Sequence, residues 1–223
     1  MTESRQDMVY SLKLPVVVDA STVPVQIGIP GQSGWQSIAS SKEQALEGLF
    51  SSFEKVLSDT KMDLSKIDSI FFCEGPGSTL GLRIAAAFVR TILWSNSNNS
   101  PFSFYYNALD LASYLAPSKH CIIQAPFRMG LRFVRKPTLG DEESTKDILP
   151  EDEAIENYPE SFHLPDMRKR CRPIPADQIL SYDISKINGL KELLPISRIC
   201  KKILPYNPKA PEFKKWNPQT FGK

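Results

Sequence analysis

The sequence predicts an α/β fold in which helices pack against a mixed β-sheet. Three observations support this. Strand-like apolar runs alternate with segments of helical periodicity, three strand-like runs precede the first helix, and a glycine-rich turn joins a later strand directly to a helix. With 223 residues, 41% of them hydrophobic, the chain is long enough to bury a substantial core in one large domain or two small ones.

The first three predicted strands form a β-meander. Residues 14–19 are apolar, rich in β-branched side chains and end in a carboxylate, which is typical of a buried strand. A second strand follows over residues 23–29, where Pro24 favours an edge position or a bulged start. A turn at residues 31–34 leads into a third strand over residues 35–39.

Two helices flank the next strand. Ser41 and Gln44 have the spacing of a capping box, and apolar residues then recur at helical spacing to about residue 59. A strand is predicted over residues 69–73 and a second helix over residues 82–94. Ser78 lies where an N-cap is expected, with its hydroxyl able to accept a backbone N–H of the first turn.

The remaining elements are shorter. A helical pattern covers residues 107–115, a fifth strand is predicted over residues 121–124, and residues 131–135 fit its hairpin partner. After residue 137, closely spaced prolines each remove a backbone donor, which favours short strands, loops and one or two small helices. We therefore predict a lobe over residues 1–116 and a smaller, proline-rich lobe over residues 117–223.

This order of elements fits the ribonuclease H-like lobe of the actin-like ATPase (ASKHA) architecture. We predict two such lobes, the second of them reduced. The turn at residues 74–84 contains neither a G-x-G-x-x-G nor a Gly-Lys-Ser/Thr sequence, so a Rossmann or Walker phosphate site is not indicated. Its glycines allow the backbone to come close to something, either a phosphate or another helix.

Composition limits the cellular setting. No apolar run reaches the length of a membrane span, and the amino-terminal residues are polar and of mixed charge, unlike a signal peptide. The four cysteines are far apart and contain no C-x-x-C pair, which is typical of a reduced protein. We expect a cytoplasmic protein with no membrane contact.

Charge is distributed unevenly. Residues 141–160 contain nine acidic side chains and one lysine, whereas residues 166–223 contain thirteen basic and five acidic ones. The basic third could contact RNA through Arg168, Lys169, Arg170, Lys201 and Lys202, could contact the acidic stretch or a partner, or could be solvated surface.

Residues 75–84, GPGSTLGLRI, resemble the GPGSFTGLRIG signature of the bacterial TsaB family of tRNA threonylcarbamoyladenosine biosynthesis proteins. Residues 19–22, Asp-Ala-Ser-Thr, resemble that family's Asp-Thr-Ser-Thr, and residues 63–70 resemble the connector before the signature. Thr79 and Leu80 stand where the family has Phe-Thr, which marks the chain as a divergent member of this glycoprotease-related family. The resemblance covers residues 14–116 and is thin from residue 137 onward.

The resemblance implies a non-catalytic scaffold that dimerises with and activates a TsaD-like partner, together with a TsaE-like ATPase. The complex transfers a threonylcarbamoyl group to a tRNA adenosine beside the anticodon. It also implies a homodimer when the chain is alone, tRNA contact only through the complex, and no cofactor of its own, with ATP and a metal ion in the partner. His120 and His163 form no H-x-x-x-H pair, so no catalytic or metal site is expected.

The resemblance further implies a four-helix interface made by the two predicted helices and their counterparts on the partner. An apolar helix stripe is also what ordinary core packing produces. The residues expected to contact the partner are Leu49, Phe53, Leu82, Arg83, Ala86, Phe88 and Arg90.

The alternative function is that of an actin-like ATPase or kinase-like enzyme. Asp19 could hold a magnesium-bound phosphate, or it could simply cap a turn. The remaining residues assigned to a nucleotide are Ser21, Thr22, Gly75, Gly77 and Ser78. Phosphoryl transfer needs a second phosphate loop and a base, and the sequence indicates neither. Ser78 lacks the G-x-S-x-G context of a hydrolase nucleophile.

Overall fold

A computed structural model describes most of the chain and shows two β-sheets joined by helices. The described residues are 12–96, 101–137, 144–166, 171–200 and 202–204. The basic residues Arg168, Lys169, Arg170 and Lys201 lie outside them, and so does the acidic stretch up to residue 143. No helix in the described part of the chain has the length and apolar character needed to cross a membrane.

The first sheet has six strands in the order β10-β5-β4-β1-β2-β3. Strands β1 to β3 are antiparallel, β1, β4 and β5 are parallel, and β10 is antiparallel to β5. The strands are β1 Pro15–Asp19, β2 Val25–Pro30, β3 Trp35–Ser41, β4 Ser69–Gly75, β5 Phe102–Asn107 and β10 Ser197–Ile199. This is the predicted meander followed by parallel crossovers.

Helices cover both faces of this sheet. On one face, α1 (Ala45–Thr60) and α2 (Thr79–Ser95) enclose a core that includes Leu49, Val89 and Ile70, all fully buried. On the other face, α3 (Ala108–Leu115) packs in a second core that also takes in residues of the second sheet. Because β1 and β4 are covered on both faces, they are continuously apolar rather than alternating.

The second sheet repeats part of the first. Its four strands have the order β8-β7-β6-β9, with β6 to β8 antiparallel and β9 parallel to β6. They are β6 Ile123–Pro126, β7 Leu131–Lys136, β8 Thr145–Pro150 and β9 Phe162–His163, and α4 (Glu151–Asn157) lies between β8 and β9. The first sheet up to β4 has the same order of elements: an antiparallel meander, a helix and then a strand parallel to the first strand of the meander. This confirms the predicted ribonuclease H-like, actin-like fold class.

The carboxyl part of the chain returns to the first sheet. Short 3-10 turns at Ala176–Gln178 and Ile184–Lys186 precede α5 (Gly189–Ile196), which leads directly into β10. No single point in the sequence therefore separates the strands of the first sheet from those of the second, because β10 follows the second sheet in the chain but belongs to the first. The predicted division at residue 116 remains a prediction about domains.

Three predictions of local structure were wrong. Ser41 belongs to β3, and Gln44 precedes α1 without a side-chain capping bond, so no capping box forms. β5 was missed because its aromatic run follows a polar break directly and is too short to show a clear period. Helix α2 begins at Thr79, earlier than predicted, since Ser78 is its N-cap and accepts from the Gly81 N–H at 3.2 Å.

Candidate functional site

The Asp19 carboxylate at the end of β1 is buried, with 2% of the residue exposed. Its Oδ1 accepts from the backbone N–H of Ser21 at 2.8 Å and from the Ser21 hydroxyl at 2.6 Å. Its Oδ2 accepts from the hydroxyls of Tyr106 at 2.7 Å and Tyr182 at 2.8 Å. These four bonds join β1, β5 and the chain before α5 at one charged group.

The two tyrosine hydroxyls that donate to Asp19 keep their protons, and so does the neighbouring Cys73 thiol. Burial, with the Asp19 charge as a second cause, raises the pKa of Tyr106, Tyr182 and Cys73 well above their usual values. A carboxylate has about four lone-pair sites, and here all four are used. The geometry therefore supports the turn-capping interpretation of Asp19 rather than the magnesium-phosphate one.

The glycine-rich turn is packed against the chain that follows β1. Ser78 donates its backbone N–H to the Ser21 carbonyl at 2.7 Å. A Cβ added to Gly77 would overlap the Ser21 carbonyl oxygen, and one added to Gly81 would overlap the Ala20 carbonyl oxygen. These glycines thus allow the turn to approach the backbone that follows β1 in the same chain. The sequence analysis expected close approach to a phosphate or to another helix instead.

The other residues assigned to a nucleotide lie in the same closed region. Ser21 and Thr22 are buried, and Gly75, in the left-handed region with φ 122°, ends β4. Of the residues assigned to a nucleotide, the structure links Asp19, Ser21 and Ser78 by hydrogen bonds and packs Gly77 against Ser21. Tyr106 and Tyr182 complete this cluster.

Two aromatic residues of this cluster were missed from the sequence. Tyr106 lies in β5, which was not predicted, and Tyr182 lies in the proline-rich part, where no element boundary was assigned. A buried carboxylate at the end of β1 does imply donors nearby, since buried charges are paired. That requirement does not indicate which residues supply the donors.

The residues expected to contact a partner divide into two groups. Leu49, Phe53, Leu82, Ala86 and Phe88 are between 0% and 8% exposed and lie in the core of this chain. Phe88 packs edge-on against Phe50 and Phe53, with ring centroids 5.2 and 5.3 Å apart. Arg83 and Arg90 are exposed on α2. Of the seven residues, only the two arginines are therefore accessible on this chain; the five apolar residues hold α1 and α2 together and to the sheet.

A different set of apolar side chains is exposed on these helices. We define the outer helical face as Leu46 and Phe50 of α1 with Leu80, Arg83, Ala87, Arg90 and Trp94 of α2. Phe50 is 48% exposed, Leu80 64% and Trp94 81%. The α2 members are three or four residues apart, which places them on one side of the helix. Exposed apolar groups that share one face with arginines are typical of an interaction surface.

The described residues contain no group of three or more His, Cys, Asp or Glu side chains that could hold a metal. His120 is exposed, whereas His163 is buried in β9 of the second sheet. The two histidines thus occupy different environments, and within the part of the chain that the structure describes neither belongs to a group that could hold a metal.

Burial raises the pKa of Glu74, at the end of β4, to about 7, against the opposing effects of a hydrogen bond with Asn107 and the charge of Lys146. Glu74 therefore holds a proton in part of the molecules at neutral pH. It begins the glycine-rich turn, where the sequence gives no sign that its environment differs from that of an exposed glutamate.

A polar network ties the second sheet together around His163. Arg132, 1% exposed, donates to the Glu151 carboxylate at 2.7 and 3.0 Å and contacts His163 Nδ1 at 3.2 Å through Nη1. His163 Nε2 lies 3.2 Å from the Ser161 hydroxyl, which in turn donates to the Tyr158 carbonyl. Since Arg132 can only donate, His163 must be neutral, with its proton on Nε2.

This network predicts a loss of stability in acid. Burial, followed by the charge of Arg132, lowers the pKa of His163 from 6.5 to about 4 in the folded protein. Above pH 6.5 His163 is neutral in both states. Between pH 6.5 and 4 the unfolded chain binds the proton and the folded one does not, so the free energy of unfolding falls, by about 2–4 kcal/mol in total.

Urea unfolding measured between pH 4 and 7 tests this expectation. In His163→Asn, an amide oxygen can still accept from Arg132 but does not titrate, so we expect the difference between wild type and variant to shrink as the pH falls. Carboxyl groups titrate in both proteins and cancel in the comparison. A difference that is constant across this range would contradict the assignment.

Comparisons with known proteins agree with this architecture. Residues 39–99 match the family model of TsaD, the tRNA N6-adenosine threonylcarbamoyltransferase. No curated protein sequence matches the chain. Among solved structures, YeaZ from Pseudomonas aeruginosa is 16% identical with a TM-score of 0.62, over 88% of this chain and 100% of that one.

A second structure, an uncharacterized protein with similarity to peptidase YEAZ from Pseudomonas aeruginosa, is 17% identical with a TM-score of 0.58, over 83% of this chain and 90% of that one. The chain therefore has the fold of YeaZ. The resemblance predicted from residues 14–116 is confirmed at the level of the fold.

Proposed function

We propose that this chain, which shares the fold of the TsaB protein YeaZ, is a divergent TsaB: a non-catalytic subunit that dimerises with and activates a TsaD-like partner. The partner would then transfer a threonylcarbamoyl group to a tRNA adenosine beside the anticodon. The observation that carries the proposal is the position of the TsaD match. Residues 39–99 include α1, β4 and α2, the region that also bears the outer helical face.

Residues 39–99 of this chain resemble a region of TsaD, and two proteins that have the same pair of helices can pair through those helices. If a TsaD-like protein has helices equivalent to α1 and α2, two such pairs can pack face to face, with ridges of one pair in grooves of the other. Leu46, Phe50, Leu80 and Trp94 would supply the apolar centre of this contact, with Arg83 and Arg90 as charged anchors. The same face would make a homodimer when the partner is absent.

The accessory role is supported by the geometry around Asp19. The aspartate and the glycine-rich turn, which would have to hold a nucleotide in the actin-like alternative, bind each other through Ser21. In the proposed cytoplasmic complex, ATP and the metal ion belong to the TsaD-like and TsaE-like subunits. This chain would contact tRNA only as part of that complex.

Co-purification with the TsaD homologue of the same organism tests the proposal. Arg83→Glu with Ala87→Glu places two negative charges on the outer helical face, where both positions are exposed. We expect this variant to lose the complex, by at least about a hundredfold in Kd, because the charges must be desolvated at the centre of the contact. Ala86 is unsuitable for such a change, since a charge there would enter the core.

The matched control is Arg128→Glu with Met129→Glu, two exposed positions in the turn of the second sheet. It changes the charge of the chain by the same amount and should leave the complex intact. Absence of a complex with folded wild type, or equal loss in both variants, would overturn the proposal. Magnesium-dependent ATP binding by the isolated chain would then favour the ATPase alternative.

A further inference from the structure

The second sheet borders a cavity of about 330 Å³, which shares no residue with the outer helical face. This volume is within the range of small-molecule sites. The apolar lining residues are Pro126, Leu164, Pro173, Ile174 and Ile179. The polar lining residues are Arg132, His163, Asp166, Cys171 and Arg172. The charge and the hydrogen bonds of the polar residues determine which class of ligand the cavity fits.

Two of the polar lining residues are uncharged at neutral pH. Burial, followed by the charge of Arg132, lowers the pKa of His163 to about 4. Burial raises the pKa of Cys171 to about 11, so its thiol keeps the proton. A protonated thiol is a poor nucleophile, which favours binding over reaction in this cavity. Neither residue contributes a charge that a ligand could pair with.

The three charged lining residues are already engaged within the chain. Arg132 forms an ion pair with Glu151 at 2.7 Å, and Arg172 lies 3.8 Å from the Asp152 carboxylate. Asp166 Oδ2 accepts from the backbone N–H five residues later, at 2.9 Å. Three carboxylates against two guanidinium groups leave one net negative charge around the cavity. This balance disfavours a bound anion.

A bound cation is disfavoured by the positions of the same groups. Arg132 and Arg172 line the cavity, whereas Glu151 and Asp152 do not. A ligand cation would therefore lie beside both arginines, and the one lining carboxylate, Asp166, is already hydrogen-bonded. A charge that leaves water is costly unless it is paired. The cavity therefore fits an uncharged molecule better than an ion of either sign.

Arg132, 1% exposed, has one N–H group left over. Its guanidinium has five. One on Nε and one on Nη2 bond Glu151, the other on Nη2 reaches the Arg172 carbonyl at 3.4 Å, and one on Nη1 bonds His163. Among the described residues, the second N–H of Nη1 has no hydrogen-bond partner. A buried donor of this kind is costly unless a ligand or water accepts from it.

We propose that this cavity binds a small, uncharged, mainly apolar molecule that carries one hydrogen-bond acceptor, such as a ketone or an ester. The acceptor takes the remaining N–H of Arg132 Nη1, and the hydrocarbon part lies against Leu164, Ile174 and Ile179. This proposal is independent of the function proposed for the outer helical face, because no residue is shared by the two surfaces.

Titration of the full chain by NMR tests the class of ligand with four aromatic probes. Acetophenone is uncharged and has a carbonyl acceptor, and ethylbenzene has nearly the same shape without the acceptor. Benzoate is an anion and benzylammonium a cation of similar size. We expect acetophenone to bind at least about tenfold more tightly than either ion, and about fivefold more tightly than ethylbenzene. An ion that binds as tightly as acetophenone, or no binding of acetophenone, would overturn the proposal. Equal affinity for acetophenone and ethylbenzene would overturn the role given to Arg132.

A charge variant separates this site from one that recognises charge. Arg172 is exposed, so Arg172→Gln should not disturb the fold. An uncharged ligand makes no ion pair with Arg172, so we expect the acetophenone affinity to change by less than about twofold in this variant. The same small change is expected when the salt concentration is raised about tenfold. An acetophenone affinity that falls about tenfold in either comparison would refute recognition of an uncharged molecule.

A cavity-filling variant locates the bound probe. Ile179 is 43% exposed at the cavity, and Ile179→Trp should block acetophenone binding while the thermal midpoint stays close to that of the wild type. Met129→Trp adds the same ring at an 84% exposed position that does not line the cavity, and should bind acetophenone normally. Acetophenone binding that persists in Ile179→Trp, or equal loss in both variants, would contradict a site in this cavity.

Discussion

Asp19→Ala is expected to lower the free energy of unfolding by about 3–5 kcal/mol. The change removes the acceptor for two buried tyrosine hydroxyls and for both donors of Ser21. The tyrosine hydroxyls cannot reach water, so their desolvation is no longer compensated. Urea denaturation followed by circular dichroism measures the change directly.

Asp63→Ala is the matched control for this variant. Asp63 accepts from the Ser65 backbone N–H at 2.7 Å, in the same local turn that Asp19 makes with Ser21, but it lies at the surface. We expect a loss of about 1 kcal/mol there. The difference between the two variants isolates the tyrosine bonds. Losses of similar size would show that Asp19 does no more than cap its turn.

The second large effect is expected at the start of α2. Gly81→Ala should destabilise the protein by about 3 kcal/mol, because the added Cβ would overlap the Ala20 carbonyl oxygen and force α2 away from β1. Helix propensity alone predicts the opposite sign, since alanine is favoured over glycine inside a helix by up to about 1 kcal/mol. The sign of the measured change therefore decides between the two explanations of this glycine.

Gly31→Ala serves as the control. The nearest atom to a Cβ at this position is 3.5 Å away, an ordinary van der Waals distance, so we expect a change within about 0.5 kcal/mol. Gly77→Ala should behave like Gly81→Ala, because its Cβ meets the Ser21 carbonyl oxygen. If Gly81→Ala and Gly77→Ala are both neutral, the turn has room for a side chain and the packing described for it is incorrect.

Much of the first sheet could be predicted because its elements carry strong local signals. β1 is a buried β-branched run, and α1 and α2 have clear helical periods, so their positions followed from the sequence within a few residues. β5 and β10 could not be predicted in this way. Both are short, and β10 exists because Ser197 to Ile199 find an open edge on β5, which is a property of the assembled sheet.

The candidate site was predictable only in part, because Asp19 and the glycine-rich turn were identified from the sequence but Tyr106 and Tyr182 were not. The signature placed Asp19 and the glycines of the turn near one another, and the structure joins them through Ser21. The donors that occupy Asp19 Oδ2, the hydroxyls of Tyr106 and Tyr182, are distant from it in the sequence, so its bonding could not be predicted. For the helices, periodicity identified an apolar face, but only the position of the sheet distinguishes Phe88 in the core from Phe50 at the surface.

The return of the carboxyl-terminal segment to β5 has a consequence during translation. Chains are made from the amino terminus, so the first sheet can assemble while its β5 edge still lacks a neighbour. That edge stays open until Ser197–Ile199 have left the ribosome, and open strand edges pair readily with other chains. β10, the last strand among the described residues, thus protects the nascent protein, and a chain that stops before it leaves the β5 edge exposed.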